Sequence, residues 1–123
     1  MRTMLLGSLA LAAVAFTAPA MAQDAKQDFQ LVNRTGYELK EVYVGPTASN
    51  DWGDDIMGQG VLEHNKAVNI HFSPRVKTCK WDLKVVYTVD NSNAVWQNID
   101  LCSTDKITIF YDKDRDVTRA TFD

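Results

Sequence analysis

The chain has 123 residues, 46% hydrophobic and 24% charged, with a mean hydropathy of −0.23. That length allows one domain, and the composition excludes a disordered or collagen-like chain. Thirteen Lys and Arg against sixteen Asp and Glu give a net charge of −3. An acidic surface argues against general nucleic-acid binding, which needs a basic face for phosphates.

Residues 1–22 have the pattern of a secretory signal peptide. Arg2 supplies the positive start, 4–16 is an apolar run, and Ala20-Met21-Ala22 is a small-x-small cleavage signal. The run is short for a membrane span, which takes about 20 apolar residues. The expected product is a single domain over 23–123. It keeps twelve basic and sixteen acidic residues, a balance of −4, and has no span after cleavage. A periplasmic or secreted location follows.

Beyond a polar start, 29–32 is a short apolar run and 33–36 a turn containing Gly36. Residues 37–44 read as a strand rich in β-formers. Its alternation slips between Leu39 and Val42, which a bulge explains. Residues 45–60 form a long, acidic, turn-rich loop. Ser49 or Asn50 is placed to cap one helical turn there, with Asp51, Asp54 and Asp55 near its positive end. Long loops without regular structure are often functional.

Two short apolar runs, 61–62 and 67–72, flank a turn at 63–66. A basic loop follows at 73–77. Residues 79–89 give the cleanest period-two signal, with Cys79, Trp81, Leu83, Val85 and Tyr87 on one face. After a turn at 90–93, residues 94–102 place Val95, Gln97, Ile99 and Leu101 on one face and Trp96 on the other. Residues 107–111 and 116–122 are two further strands, separated by a turn at 112–115.

Cys79 and Cys102 are the two cysteines, and both survive cleavage into an oxidising compartment. One disulfide is the natural pairing. In a regular 79–102 hairpin with Trp81 opposite Leu101, the two cysteines fall on opposite faces. The disulfide therefore requires a bulge or strand end near 100–102. About seven short strands predict an antiparallel β-sandwich of immunoglobulin-like type, with a small β-barrel as the alternative.

Candidate chemistry centres on the 45–60 loop. Trp52, with Asp51, Asp54 and Asp55, offers an aromatic face beside carboxylates, suited to a sugar ring or a protein partner. The competing reading folds Trp52 back as a plug for the end of the sandwich. Asp51, Asp54 and Asp55 are also candidate calcium ligands, calcium being the one cofactor the sequence suggests. Asp112, Asp114 and Asp116 start like a calcium loop, but Val117 stands where the sharp-turn glycine belongs, which favours a charged hairpin tip. His64 and His71 alone are too few for a structural zinc site. No hydrolase motif is present.

Tyr43-Val44-Gly45-Pro46, Trp52-Gly53-Asp54-Asp55-Ile56-Met57-Gly58, Cys79-x-Trp81-Asp82-Leu83 and Asp100-Leu101-Cys102 resemble a family of small secreted bacterial proteins. Its pattern is Y-V-S-P, W-G-x-D-x-L-G, C-x-[YW]-D-L and D-L-C. Gly45 replaces the serine of that pattern and Met57 the leucine. The resemblance implies no catalytic residue. Argininosuccinate lyase, a name sometimes attached to such sequences, denotes a large helical tetramer that about 100 β-rich residues cannot build. The expected function is a non-enzymatic binding or envelope-associated module, with a protein or glycan partner in the cell envelope. A calcium-stabilised module and a small hydrolase are the alternatives.

Overall fold

The computed structural model describes residues 27–49, 51–73 and 76–123. The expected leader at 1–22 and the cap candidate Asn50 lie outside the described residues. The described residues form seven strands: β1 Phe29–Arg34, β2 Leu39–Pro46, β3 Ala67–Ile70, β4 Lys80–Tyr87, β5 Asn93–Asp100, β6 Lys106–Asp112 and β7 Val117–Phe122. They form a sandwich of two sheets, ordered β3-β1-β6-β7 and β2-β4-β5. The four-plus-three division is that of immunoglobulin constant domains, but the strand order is its own. Four pairings are antiparallel. The fifth, β1 with β6, is parallel, so the larger sheet is mixed.

The core lies between the sheets. Leu31, Ile107 and Ile109 from one sheet meet Leu39, Val42 and Val85 from the other, all fully buried. Leu62, Ile70 and Leu101 extend this cluster from the ends of strands and the loops. β1 runs two residues past the apolar stretch seen in the sequence. Phe29, Leu31 and Asn33 share its inward face, so an asparagine occupies a core position. Its amide is fully used: Nδ2 donates to the carbonyls of Tyr37 and Leu62, both at 2.8 Å, and Oδ1 accepts from the backbone N and the hydroxyl of Thr35.

Two bulges set the faces. The first falls between Leu39 and Glu41, where the alternation slips in the sequence, and lets both Leu39 and Val42 point inward. The second lies in β5. Trp81 pairs with Ile99 and Leu83 with Trp96, so Asp82 faces two residues, Gln97 and Asn98. Asn98 takes a left-handed φ of 62°, which asparagine tolerates better than most residues.

The observed β4–β5 register, set by the turn and this second bulge together, corrects two expectations. Trp81 lies opposite Ile99 rather than Leu101. The single face of Val95, Gln97, Ile99 and Leu101 is split: Ile99 and Leu101 point inward, whereas Val95 is 43% exposed. Ala94 and Trp96 instead pack against the core. The extra residue flips everything before it, and burying the Trp96 indole removes more apolar area from water than burying Val95 would.

Cys79 and Cys102 are joined, with Cα atoms 5.2 Å apart. Both sit just beyond the β4–β5 ladder, where the backbone N of Leu101 donates to the Cys79 carbonyl at 2.9 Å. The strand end relieves the facing conflict that a regular hairpin imposes.

Candidate functional site

β2 is an edge strand, and its outer backbone groups need partners. The 45–60 loop supplies them. The Val42 N–H donates to Asp55 Oδ1 at 2.8 Å, and the Val42 carbonyl accepts from Ile56 N at 2.8 Å. Farther along, Leu39 and Leu62 exchange two backbone hydrogen bonds. The loop and its continuation thus act as a partial fourth strand on the smaller sheet.

Asp55 Oδ1 also accepts from Met57 N at 3.0 Å, starting a turn that continues through Gly58 N to the Asp55 carbonyl. The single turn expected after Ser49 or Asn50 therefore lies farther on, with Asp55 as its cap. Ser49 Oγ accepts from Asp51 N, and Asp51 Oδ1 accepts from Gly53 N. Short polar side chains bonding two residues ahead explain this irregular path.

Trp52 folds back over the outer face of the β2-β4-β5 sheet. The Lys84 ammonium lies 5.4 Å from its ring centroid and 5.0 Å from that of Tyr43. One cation so ties the loop to two strands through their aromatic faces. Trp52 stays half-buried there, on the side of the sandwich and not at its end.

Beside Trp52 is an open hollow of about 210 Å³. Its floor is a row across the sheet: Gly45 pairs with Asp82, and Asp82 faces Gln97 at the bulge. Ser49, Asp51 and Trp52 form the wall. Gly45 is required by this path, because a Cβ there would stand 2.6 Å from the Asp51 carbonyl oxygen. Asp82 is buried, and its Oδ1 accepts both from Thr47 Oγ1 at 2.7 Å and from Asn98 N at 2.9 Å. That oxygen holds the start of the loop to the bulge of β5.

Of the four residues expected at the site, Asp51 and Trp52 line the hollow. Asp55 serves the edge of β2, and Asp54 is exposed outside the hollow. Asp51, Asp54 and Asp55 do not converge. Among the described residues, one triad of potential ligand atoms lies within 4.8 Å of one another, that of Cys79, Asp100 and Cys102. The disulfide consumes its two thiols. His64 Nδ1 accepts from Gly36 N, whereas His71 Nδ1 lies 3.3 Å from Asp28 Oδ2. Asp112 Oδ1 accepts from the backbone N of Asp114 and Arg115, the arrangement of a hairpin tip.

Asp82 and Gln97 are the site residues that sequence reasoning missed. The clue was present: Trp96 and Ile99 are three apart within a strand, the spacing that marks the first bulge at Leu39 and Val42. Compared with protein-family models, curated proteins and solved structures, the chain matches none.

Proposed function

We propose that this chain is a non-enzymatic binding module acting after export, and that its hollow takes one sugar residue of a cell-envelope glycan. The observation that carries this reading is the make-up of the hollow. Trp52 and Pro46 line it together with the polar residues Ser49, Asp51 and Gln97. A sugar ring presents the same mixture, an apolar C–H face rimmed by hydroxyls. The disulfide supports an oxidising compartment. Among the described residues no helix is long and apolar enough to cross a membrane.

The test is a titration of the full chain with a panel of neutral mono- and disaccharides, read by tryptophan fluorescence. A saturable change is expected with some members of the panel, lost in Trp52→Ala and weakened in Gln97→Ala. Asp54→Ala should bind like the parent. Absence of any saturable change, or full binding by the Trp52→Ala variant, overturns the reading.

One observation favours a second reading, a small glycoside hydrolase: two acidic residues, Asp51 and Asp82, line the same hollow. A two-carboxylate mechanism needs both groups free to act on opposite sides of the scissile bond. Asp82 is committed to holding Thr47 and Asn98, which favours binding. Release of reducing sugar from a bound disaccharide would decide for hydrolysis.

A further inference from the structure

At the other end of the β2–β4 ladder, three turns meet: the β1–β2 turn, the β4–β5 tip and the β6–β7 tip. Thr88 N donates to the Glu38 carbonyl there. Each segment brings one tyrosine. Tyr37 and Tyr87 have ring centroids 6.1 Å apart with planes at 90°. Tyr37 and Tyr111 are 5.6 Å apart at 81°, and Tyr87 and Tyr111 are 6.3 Å apart at 68°. With Val89, Asp90 and Asp116, the rings line a hollow of about 260 Å³.

Three rings nearly at right angles, with two carboxylates beside them, suit one kind of guest. Ring faces carry negative potential and two aspartates stand beside them, so an anion is disfavoured here. A purely apolar guest would gain nothing from Asp90 and Asp116. An organic cation with an apolar periphery gains from both, because the rings cover its alkyl groups while the faces and carboxylates meet its charge.

Local bonding strengthens the effect. The Tyr111 hydroxyl donates to Asp116 Oδ1 at 2.6 Å, which shifts electron density into the ring. Asp90 Oδ1 accepts from the Ser92 hydroxyl at 2.6 Å and from its N–H at 3.0 Å. These bonds hold the Asp90 carboxyl below its usual pKa, so it stays charged. Lys40 bonds to the Asn91 side chain and Arg115 lies against Asp112. No Lys or Arg lines the cup among the described residues.

We propose that the tyrosine cup is a second binding site, for an alkylammonium group. The shared chemistry is that of a quaternary ammonium, whether a free solute or a phosphocholine headgroup. The site stands independently of the saccharide reading, since the cup and the Trp52 hollow share no residue.

The test uses the full chain with ¹³C-labelled tyrosine, titrated with tetramethylammonium chloride against sodium chloride at matched ionic strength. Saturable shifts are expected on Tyr37, Tyr87 and Tyr111. Tyr111→Leu should weaken binding about tenfold or more. Asp116→Asn keeps the size of the side chain and should weaken binding several-fold even where the tyrosine variant fails to fold. tert-Butanol, a neutral probe of similar shape, should bind about tenfold more weakly. Absence of saturable shifts, equal binding of tert-butanol, or an unchanged Asp116→Asn variant would each overturn the proposal. Phosphatidylcholine vesicles then separate the sources. Cosedimentation that tetramethylammonium competes away supports a headgroup; binding of tetramethylammonium without cosedimentation supports a solute.

Discussion

Asn33→Asp is an informative perturbation because it changes hydrogen bonding at almost constant volume. Asn33 has no exposed surface, and its Nδ2 serves two carbonyls at 2.8 Å each. An aspartate places an acceptor where both donors stood. Each carbonyl loses one of its two donors, Leu62 keeping Leu39 N and Tyr37 keeping the Thr35 hydroxyl. A buried carboxylate oxygen without a donor now faces both, and an uncompensated buried charge costs about 3–5 kcal/mol. We expect a loss of about 4 kcal/mol at pH 7, a large share of the ~5–15 kcal/mol that holds a domain together.

The pH dependence fixes the mechanism. Burial against two carbonyls raises the new carboxyl above its unfolded pKa of about 3.9. The protonated acid regains one donor, so stability is recovered below about pH 3.9 and lost as pH rises through the folded value. Urea unfolding at pH 4 and pH 7, followed by tryptophan fluorescence, should show the smaller deficit at pH 4. A loss under about 1 kcal/mol at pH 7, or the same deficit at both pH values, would refute the reasoning.

Four further outcomes are expected. Replacing Cys79 and Cys102 together by alanine should cost roughly 3.5 kcal/mol in urea unfolding, and the unreduced protein should show no alkylatable thiol by mass spectrometry. Gly45→Ala forces the Asp51 carbonyl away, so it should lower stability by about 1–3 kcal/mol and abolish any saccharide-induced change in Trp52 fluorescence. Tyr111, pushed up to about 12 chiefly by its bond to Asp116, should stay unionised in an ultraviolet titration when unfolded tyrosine is already tyrosinate. Its contribution to stability is complete below about pH 10 and declines as pH rises toward 12. Chelator should leave the melting midpoint unchanged, because Asp55 spends Oδ1 on two backbone N–H groups and the loop carboxylates do not converge; a midpoint raised by added calcium would contradict this.

The strands were legible wherever side chains alternate, most plainly in β4, because each face there keeps one chemical character. The disulfide was legible from the cysteine count. Three features were hidden, each for a physical reason. The β5 bulge displaces a whole face by one residue, and its signature is only the three-residue spacing of Trp96 and Ile99 around Gln97 and Asn98. Asn33 reads as a turn former because its type is common in turns, while its burial depends on carbonyls from Tyr37 and Leu62. The parallel β1–β6 pair joins segments far apart in the chain, and no local pattern encodes it. Of the residues lining the Trp52 hollow, Trp52 and Asp51 stand out in the sequence through loop composition. Asp82 was passed over because an acidic residue at an outward strand position looks like ordinary solvated surface until a loop covers it.

One oxygen of Asp82 carries a consequence for how this molecule can be redesigned. The stretch after β2 and the register of β5 are tied to the same atom, so neither is an independent module. Grafting a foreign sequence over 47–53 without a hydroxyl to meet that carboxylate would release its hold on the kink at Asn98 as well. A combinatorial library aimed at new ligands should therefore keep Thr47, Asp82 and Asn98 fixed and vary Ser49, Asp51 and Gln97 around them.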